Sequence, residues 1–237
     1  MVEFRKILFC AAAFAAGCAA GPDDGAAISC TPEIEVLPSN GTWDAEYGKT
    51  QDPANCSFVF SVARYRDGIG VKAKVRDDAI VTDGCKPGDV AAPTWDDDNI
   101  ECFFDGDNDK SKDARAGNGL FWGGEYAFTA NGAAQSSFSG QPGSFGTLWT
   151  GSVQRVEAPG GGWLLEYDLK FSWKCLGRAA PPPDGEDVTF GFNICVHDDD
   201  DGGRADRALF WKGKNVMPYR DESGFGEITL KGRKEEQ

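Results

Sequence analysis

The 237-residue chain contains one histidine, His197, and two methionines. With a single imidazole and no Gly-x-Ser-x-Gly turn, a serine triad has no support. No His-Glu-x-x-His helix of a zinc peptidase can be written either. Positive charge is also scarce: 24 Lys and Arg face 38 Asp and Glu, for a net charge of −14. Such a surface repels phosphate backbones and anionic headgroups, which argues against nucleic acid as a partner and leaves cations and neutral ligands. No apolar run approaches the roughly 20 residues that a membrane-spanning helix needs. The eight cysteines include no Cys-x-x-Cys pair and no evident Cys/His cluster. Zinc is therefore not expected from the spacing.

What is present begins with a leader. Arg5 and Lys6 precede an apolar, small-residue stretch from Ile7 to Ala16, and Ala15-Ala16-Gly17-Cys18 follows. Residues 1–18 read as a signal peptide with a lipobox-like end, Cys18 being the residue that would be acylated; a plain secretory peptide is the alternative. Residues 19–29 then form a flexible tether, residues 30–231 the domain and residues 232–237 a solvated tail. An exported protein of the cell envelope or outer surface is expected, touching the membrane only through its lipid anchor. Removing Cys10 and Cys18 leaves six cysteines, at 30, 56, 85, 102, 175 and 195. An even count in an exported chain predicts three disulfides of undetermined pairing.

The recurrent hydrophobic period is two. In "GVKAKVR", Val71, Ala73 and Val75 alternate with Lys72, Lys74 and Arg76, the pattern of a half-buried strand. Similar runs cover Phe58 to Val62, Ile100 to Phe104, Glu125 to Thr129, Gly151 to Val156, Trp163 to Phe171, Val188 to Val196, Ala208 to Trp211 and Glu227 to Leu230. Gly, Pro, Asn and Asp clusters divide nearly all of them, and no long stretch keeps helical spacing. The fold class is all-β, an antiparallel sandwich of jelly-roll-like type. Cys175 to Asp187 is too proline-rich for a strand and reads as a loop with a helical turn. Gly119 to Trp149 should hold one short strand and a long loop.

Three residue groups carry chemistry. Asp105, Asp107, Asp109 and Asp113 are spaced so that carboxylates can converge on a hard cation, making calcium the candidate cofactor; the loop is not an EF-hand, because Lys110 and Ala116 stand at its required Gly and Glu positions. Asp198 to Asp201 with Asp206 form a second acidic run beside Arg204 and Arg207, either a cation site or a solvated, locally ion-paired loop. Trp95, following "AAPT" at a strand entry, should present its ring to solvent, as rings that stack on sugar faces do. Paired carboxylates such as Glu101 and Asp168 leave a glycoside-active enzyme open as a rival.

"VRDD" from Val75 to Asp78, then "WDDDNIECFFD" from Trp95 to Asp105, resembles the opening of family 9 carbohydrate-binding modules, whose strands read V-x-D and W-x-x-D-x-V-E-I-F-x-D. The likeness continues through "WLLEYDL" from Trp163, "FGFNICVHD" from Phe190, Trp211 and "RDESGFGEITL" from Arg220. It covers about residues 58–230 and thins across Gly119 to Trp149. The resemblance implies a non-catalytic β-sandwich that binds sugar, typically at chain ends, between two facing aromatic rings, with calcium held structurally. Trp95 matches one ring, Tyr219 falls at the second, and Glu101 matches a sugar-contacting carboxylate. Other contacts differ: Ala127 replaces an arginine, Cys195 a glutamine and Val216 an asparagine. Each lost directional hydrogen bond is worth about 1 kcal/mol net, which implies weakened or retargeted sugar binding. Related sandwiches carry b-type haem, for which His197 and Met217 would be the axial candidates.

Overall fold

The computed structural model describes residues 27–90, 93–110, 123–137, 144–213 and 221–233. In chain order, the strands are β1 (Ser29–Cys30), β2 (Ile34–Val36), β3 (Thr42–Trp43), β4 (Cys56–Arg64), β5 (Gly68–Asp77), β6 (Asn99–Asp105) and β7 (Gly123–Thr129). They continue with β8 (Ala134–Ser137), β9 (Trp149–Glu157), β10 (Trp163–Ser172), β11 (Val188–Asp198), β12 (Arg207–Phe210) and β13 (Gly226–Leu230). Each long alternating run of the sequence is a strand here. Four short pieces were not legible: β1, β2, β3 and β8, of two to four residues, carry too few positions to display a period. The only helical elements among the described residues are single 3-10 turns at Thr94–Asp96 and Trp173–Leu176. The second opens the proline-rich loop where a helical turn was expected.

The strands form two antiparallel sheets packed as a sandwich. The first runs β1-β4-β5-β10-β9, with β2 sharing the outer edge of β4; the second runs β3-β12-β11-β6-β7-β8, with β13 beside the first half of β11. Both sheets turn alternate residues inward. Phe58, Phe60, Val71, Val75, Leu165, Leu169 and Phe171 from the first meet Ile100, Phe104, Tyr126, Phe190, Phe192 and Ile194 from the second. Phe104 lies edge-on to Phe171 at 5.0 Å between ring centroids, and Trp149 stacks on Phe171 at 5.7 Å. Trp149 and Trp173 are core residues, whereas Trp95 is 43% exposed. Ile28 and Ser29 already hydrogen-bond to or register with Arg64 of β4, so the sheet begins inside the stretch expected to be tether.

Five of the six domain cysteines do not form the expected disulfides. Cys56, Cys85, Cys102, Cys175 and Cys195 are buried thiols. Strand geometry keeps the nearest candidates apart. Cys102 pairs with Ile194 and Cys195 with Glu101, and this one-residue offset sends Cys102 into the core and Cys195 to the outer face, as the two-residue period of a strand requires. Cys85 and Cys175 instead turn their sulfurs to the carbonyls of Pro93 and Leu148.

Candidate functional site

Strand β6 reads NIECFFD and is buried at all seven positions, although its pattern alternates. Ile100, Cys102 and Phe104 enter the core, while Asn99, Glu101, Phe103 and Asp105 face outward. The outward side is buried because Phe103, Cys195, Ala208, Phe210 and Phe225 form a second apolar cluster there, with Tyr47 packed against it. Cross-strand register arranges this face in rows. Ala127, Glu101, Cys195 and Phe210 make one row across β7, β6, β11 and β12; Thr129, Asn99, His197 and Ala208 make the next. Ala127 and Cys195, the two departures from the family pattern within the described residues, thus flank Glu101 directly. Val216 lies outside the described residues.

Trp95 stands at the rim of this face on the Thr94–Asp96 turn. The Asn99 side-chain amide donates to the carbonyls of Thr94 and Asp97, and Thr94 Oγ1 donates to Gln135 Oε1 at 3.2 Å, which fixes the turn. The indole is left exposed. Its backbone carbonyl accepts a hydrogen bond from His197 Nδ1 at 3.0 Å. Because a carbonyl only accepts, Nδ1 carries the proton and Nε2 faces Glu101 Oε2 at 3.6 Å. Cys195 Sγ donates to the same oxygen at 3.7 Å. Burial lowers the imidazole pKa, but the Glu101 carboxylate and the Trp95 carbonyl outweigh it, so His197 titrates above its ordinary range. Tyr47 meets the His197 ring edge-on at 5.5 Å and carries the Arg204 guanidinium 4.6 Å above its own face. Tyr219, the expected second ring, lies outside the described residues, as do Met217 and Cys18.

The expected cation loop is brought together in part. Asp105 is buried, accepts the backbone N–H groups of Asp109 and Lys110 at 3.2 Å, and lies with Asp109 and Glu222 so that their carboxylate oxygens are within 4.8 Å of one another. Asn108 and Lys110 take positive φ values of 57° and 55° to fold the loop back onto Asp105. Strand β11 leaves room for the carboxylate because residue 191 is glycine: a Cβ there would sit 2.6 Å from Asp105 Oδ2. Asp107 contacts Asp105 but is outside the three-oxygen group, and Asp113 lies outside the described residues. Glu222 was missed because it is 113 residues from Asp109 in the chain and only the β11–β13 pairing carries it there. Burial, with the neighbouring acids, pushes Asp105 up to about 6 and Glu222 up to about 8. These are the shifts of carboxylates crowded together away from water.

A third acidic group sits at the end of the sandwich. Asp77 and Asp198 occupy inward positions at the ends of β5 and β11, and Asp98 joins them, all three nearly fully buried. Asp98 accepts N–H groups from Val81 and Asp199, and Arg207 bonds Asp198 and Asp200 at 2.5 Å each. The second acidic run is therefore partly ion-paired, but Asp198 and Asp199 are buried rather than solvated, and Asp199, Asp201 and Asp206 bring carboxylate oxygens within 4.8 Å of one another. Burial and mutual repulsion push Asp77 up to about 10 and Asp98 up to about 8.

The carboxylate pair Glu101 and Asp168 is ruled out by topology. Asp168 lies on the exposed side of β10, where it pairs with Lys72 at 3.8 Å, and Glu101 lies on the outer face of the opposite sheet. The whole core separates them.

The comparisons follow this geometry. Endo-1,4-beta-xylanase A of Thermotoga maritima is 29% identical over 154 residues, which are 64% of this chain and 12% of that protein. A family 9 carbohydrate-binding module from Caldicellulosiruptor kristjanssonii, solved with cellotriose, superposes with a TM-score of 0.54 at 18% identity, covering 83% of this chain and 85% of the module. Its complex with glucose gives a TM-score of 0.56 at 17% identity, covering 83% and 86%. At such identities the structural likeness speaks for the fold. The sequence profile described as "Carbohydrate family 9 binding domain-like" matches residues 24–233, and the chain belongs to that family.

Proposed function

We propose that the outer face of the second sheet binds carbohydrate without catalysis, one sugar ring stacking on Trp95 and its hydroxyls bonding to Glu101. The observation that carries this reading is an exposed indole on a turn whose carbonyl is tied through the His197 ring to the buried Glu101 carboxylate, at the rim of the sheet face built from the family's own motif. Flat apolar sugar faces match the ring, and a preformed acceptor supplies direction. Tyr219 is the proposed second ring. The relatives' cellotriose and glucose make glucose-configured oligosaccharides the first ligands to try. Ala127 and Cys195 beside Glu101 remove two directional contacts, so the specificity of this chain is its own.

Calcium is proposed at Asp105, Asp109 and Glu222, with Asp107 and Asp113 as further candidates. These residues fit an oxygen-preferring cation, because they gather three carboxylate oxygens within 4.8 Å of one another around a buried Asp105. The ion would offset their mutual repulsion and fix the loop beside β13. The protein is further proposed to be exported and anchored through an acylated Cys18. The test is retention on glycan arrays and insoluble polysaccharides, alongside a hydrolysis assay. Trp95→Ala should reduce retention at least about tenfold, corresponding to roughly 1.4 kcal/mol of stacking. Sugar release that Glu101→Gln abolishes would overturn the binding reading in favour of an enzyme.

A further inference from the structure

Glu101, Cys195 and His197 place one oxygen, one sulfur and one nitrogen within 4.8 Å of one another on the outer face of the second sheet. All three side chains are buried. The arrangement follows from strand geometry: Cys195 and His197 are two residues apart on β11 and so share a face, and Glu101 is the cross-strand neighbour of Cys195 on β6. We propose that these three residues form a binding site for a zinc-class divalent ion at the base of the Trp95 face.

The donor set selects the class. Calcium and magnesium take oxygen ligands, whereas thiolate and imidazole suit zinc and its neighbours. Metal–donor lengths of about 2.0 to 2.3 Å around a tetrahedral centre place ligand atoms roughly 3.3 to 3.6 Å apart. The observed separations are 3.6 Å from His197 Nε2 to Glu101 Oε2 and 3.7 Å from Cys195 Sγ to the same oxygen. These two separations need a contraction of only a few tenths of an ångström, and the third, between Cys195 and His197, lies within 4.8 Å. A second observation concerns the histidine. Its Nδ1–H is held by the Trp95 carbonyl at 3.0 Å, which leaves Nε2 directed into the cluster toward Glu101, the outer-shell arrangement that orients metal-bound imidazoles. Burial, then Glu101 and Glu125, which lies two residues along β7 from the Glu101 row, hold the Cys195 thiol protonated without a metal, and a divalent cation would offset that negative potential. On binding, the Cys195 thiol and the Nε2–H of protonated His197 release their protons to solvent, and the sulfur and Nε2 become ligands. Three protein ligands leave a fourth position for water or an outside donor.

The site is independent of the sugar reading, though both use Glu101. The test uses the mature, reduced protein, stripped with chelator and titrated with cobalt(II). A thiolate-to-cobalt charge-transfer band in the near ultraviolet, saturating at one cobalt per chain and displaced by zinc, is expected. Cys195→Ser should abolish that band while circular dichroism stays native, and Glu101→Gln should raise the cobalt needed for half-saturation at least about tenfold. Asp105→Asn should leave the band in place. Trp95→Ala should lose glycan retention and keep the band, so a failed sugar reading and a failed metal site give different results. Absence of the band from the wild-type protein at saturating cobalt overturns the proposal, as does its persistence in Cys195→Ser. Should the serine variant not fold, an unchanged cobalt titration in Glu101→Gln overturns it equally.

Discussion

Replacing Asp77 with asparagine is expected to stabilise the metal-free protein at neutral pH. Asp77 is 1% exposed and faces Asp98 and Asp198, and burial with that repulsion pushes its pKa from 3.8 up to about 10. At pH 7 the folded protein therefore keeps this carboxyl protonated, while the unfolded chain ionises it. The cost is absent below pH 3.8, grows as pH rises, and levels off only near pH 10, so stability falls with rising pH across that window. From 3.8 to pH 7 is roughly three pH units at about 1.4 kcal/mol each, or about 4 kcal/mol. Asparagine has no proton to lose, and it retains the Oδ1 atom that accepts the Ala79 N–H at 3.0 Å. Its new amide N–H groups need acceptors, and one left unmet costs roughly 1–3 kcal/mol. The net gain is about 2 kcal/mol at pH 7 and turns into a net loss of about 1–2 kcal/mol at pH 4, where the amide cost remains and the ionisation cost has nearly vanished. For a domain of this size each kcal/mol shifts Tm by about 2–4 °C. Thermal melts of Asp77→Asn and wild type in chelator at pH 4, 5.5 and 7 measure the difference. A variant melting at or below wild type at pH 7, or with the same gain at pH 4, would refute the reasoning.

Other outcomes follow from the same geometry. Chelation should lower the Tm of the wild-type protein, and calcium should restore it less in Glu222→Gln, as loss of a native-state ligand requires; an unchanged melt in both removes the proposed calcium. Arg207→Met should destabilise by about 3 kcal/mol, because Asp198 is left buried without its partner; a denaturant midpoint within error of wild type would count against that pairing. Adding a reductant should leave Tm unchanged, since five of the six domain cysteines are buried thiols, and a drop of several degrees would reveal a disulfide the structure lacks. Phe104→Ala should cost about 3–5 kcal/mol, measured by the same denaturant titration, because the ring is 1% exposed and contacts Phe171, Tyr126, Phe190 and Phe192.

The sequence by itself determined the fold class and nearly all the long strands. Runs such as "GVKAKVR" declare their period within seven residues, and a two-residue period with a wet and a dry face permits little besides an antiparallel sheet. It also anticipated the exposure of Trp95, a tryptophan that follows "AAPT" at a strand entry among acids. Tertiary structure alone decided which distant residues share a site. Cross-strand register brings Glu101 to Cys195 and His197 across more than ninety residues, and so builds a mixed donor set that a search for Cys-x-x-Cys cannot see. Pairing of β13 with the non-consecutive β11 carries Glu222 to Asp105, and packing of two sheets puts Glu101 and Asp168 on opposite sides of the core. The same register turned Cys102 and Cys195 away from each other. Spacing along a chain records local periodicity, whereas proximity between strands depends on offsets that the intervening loops set and composition does not encode.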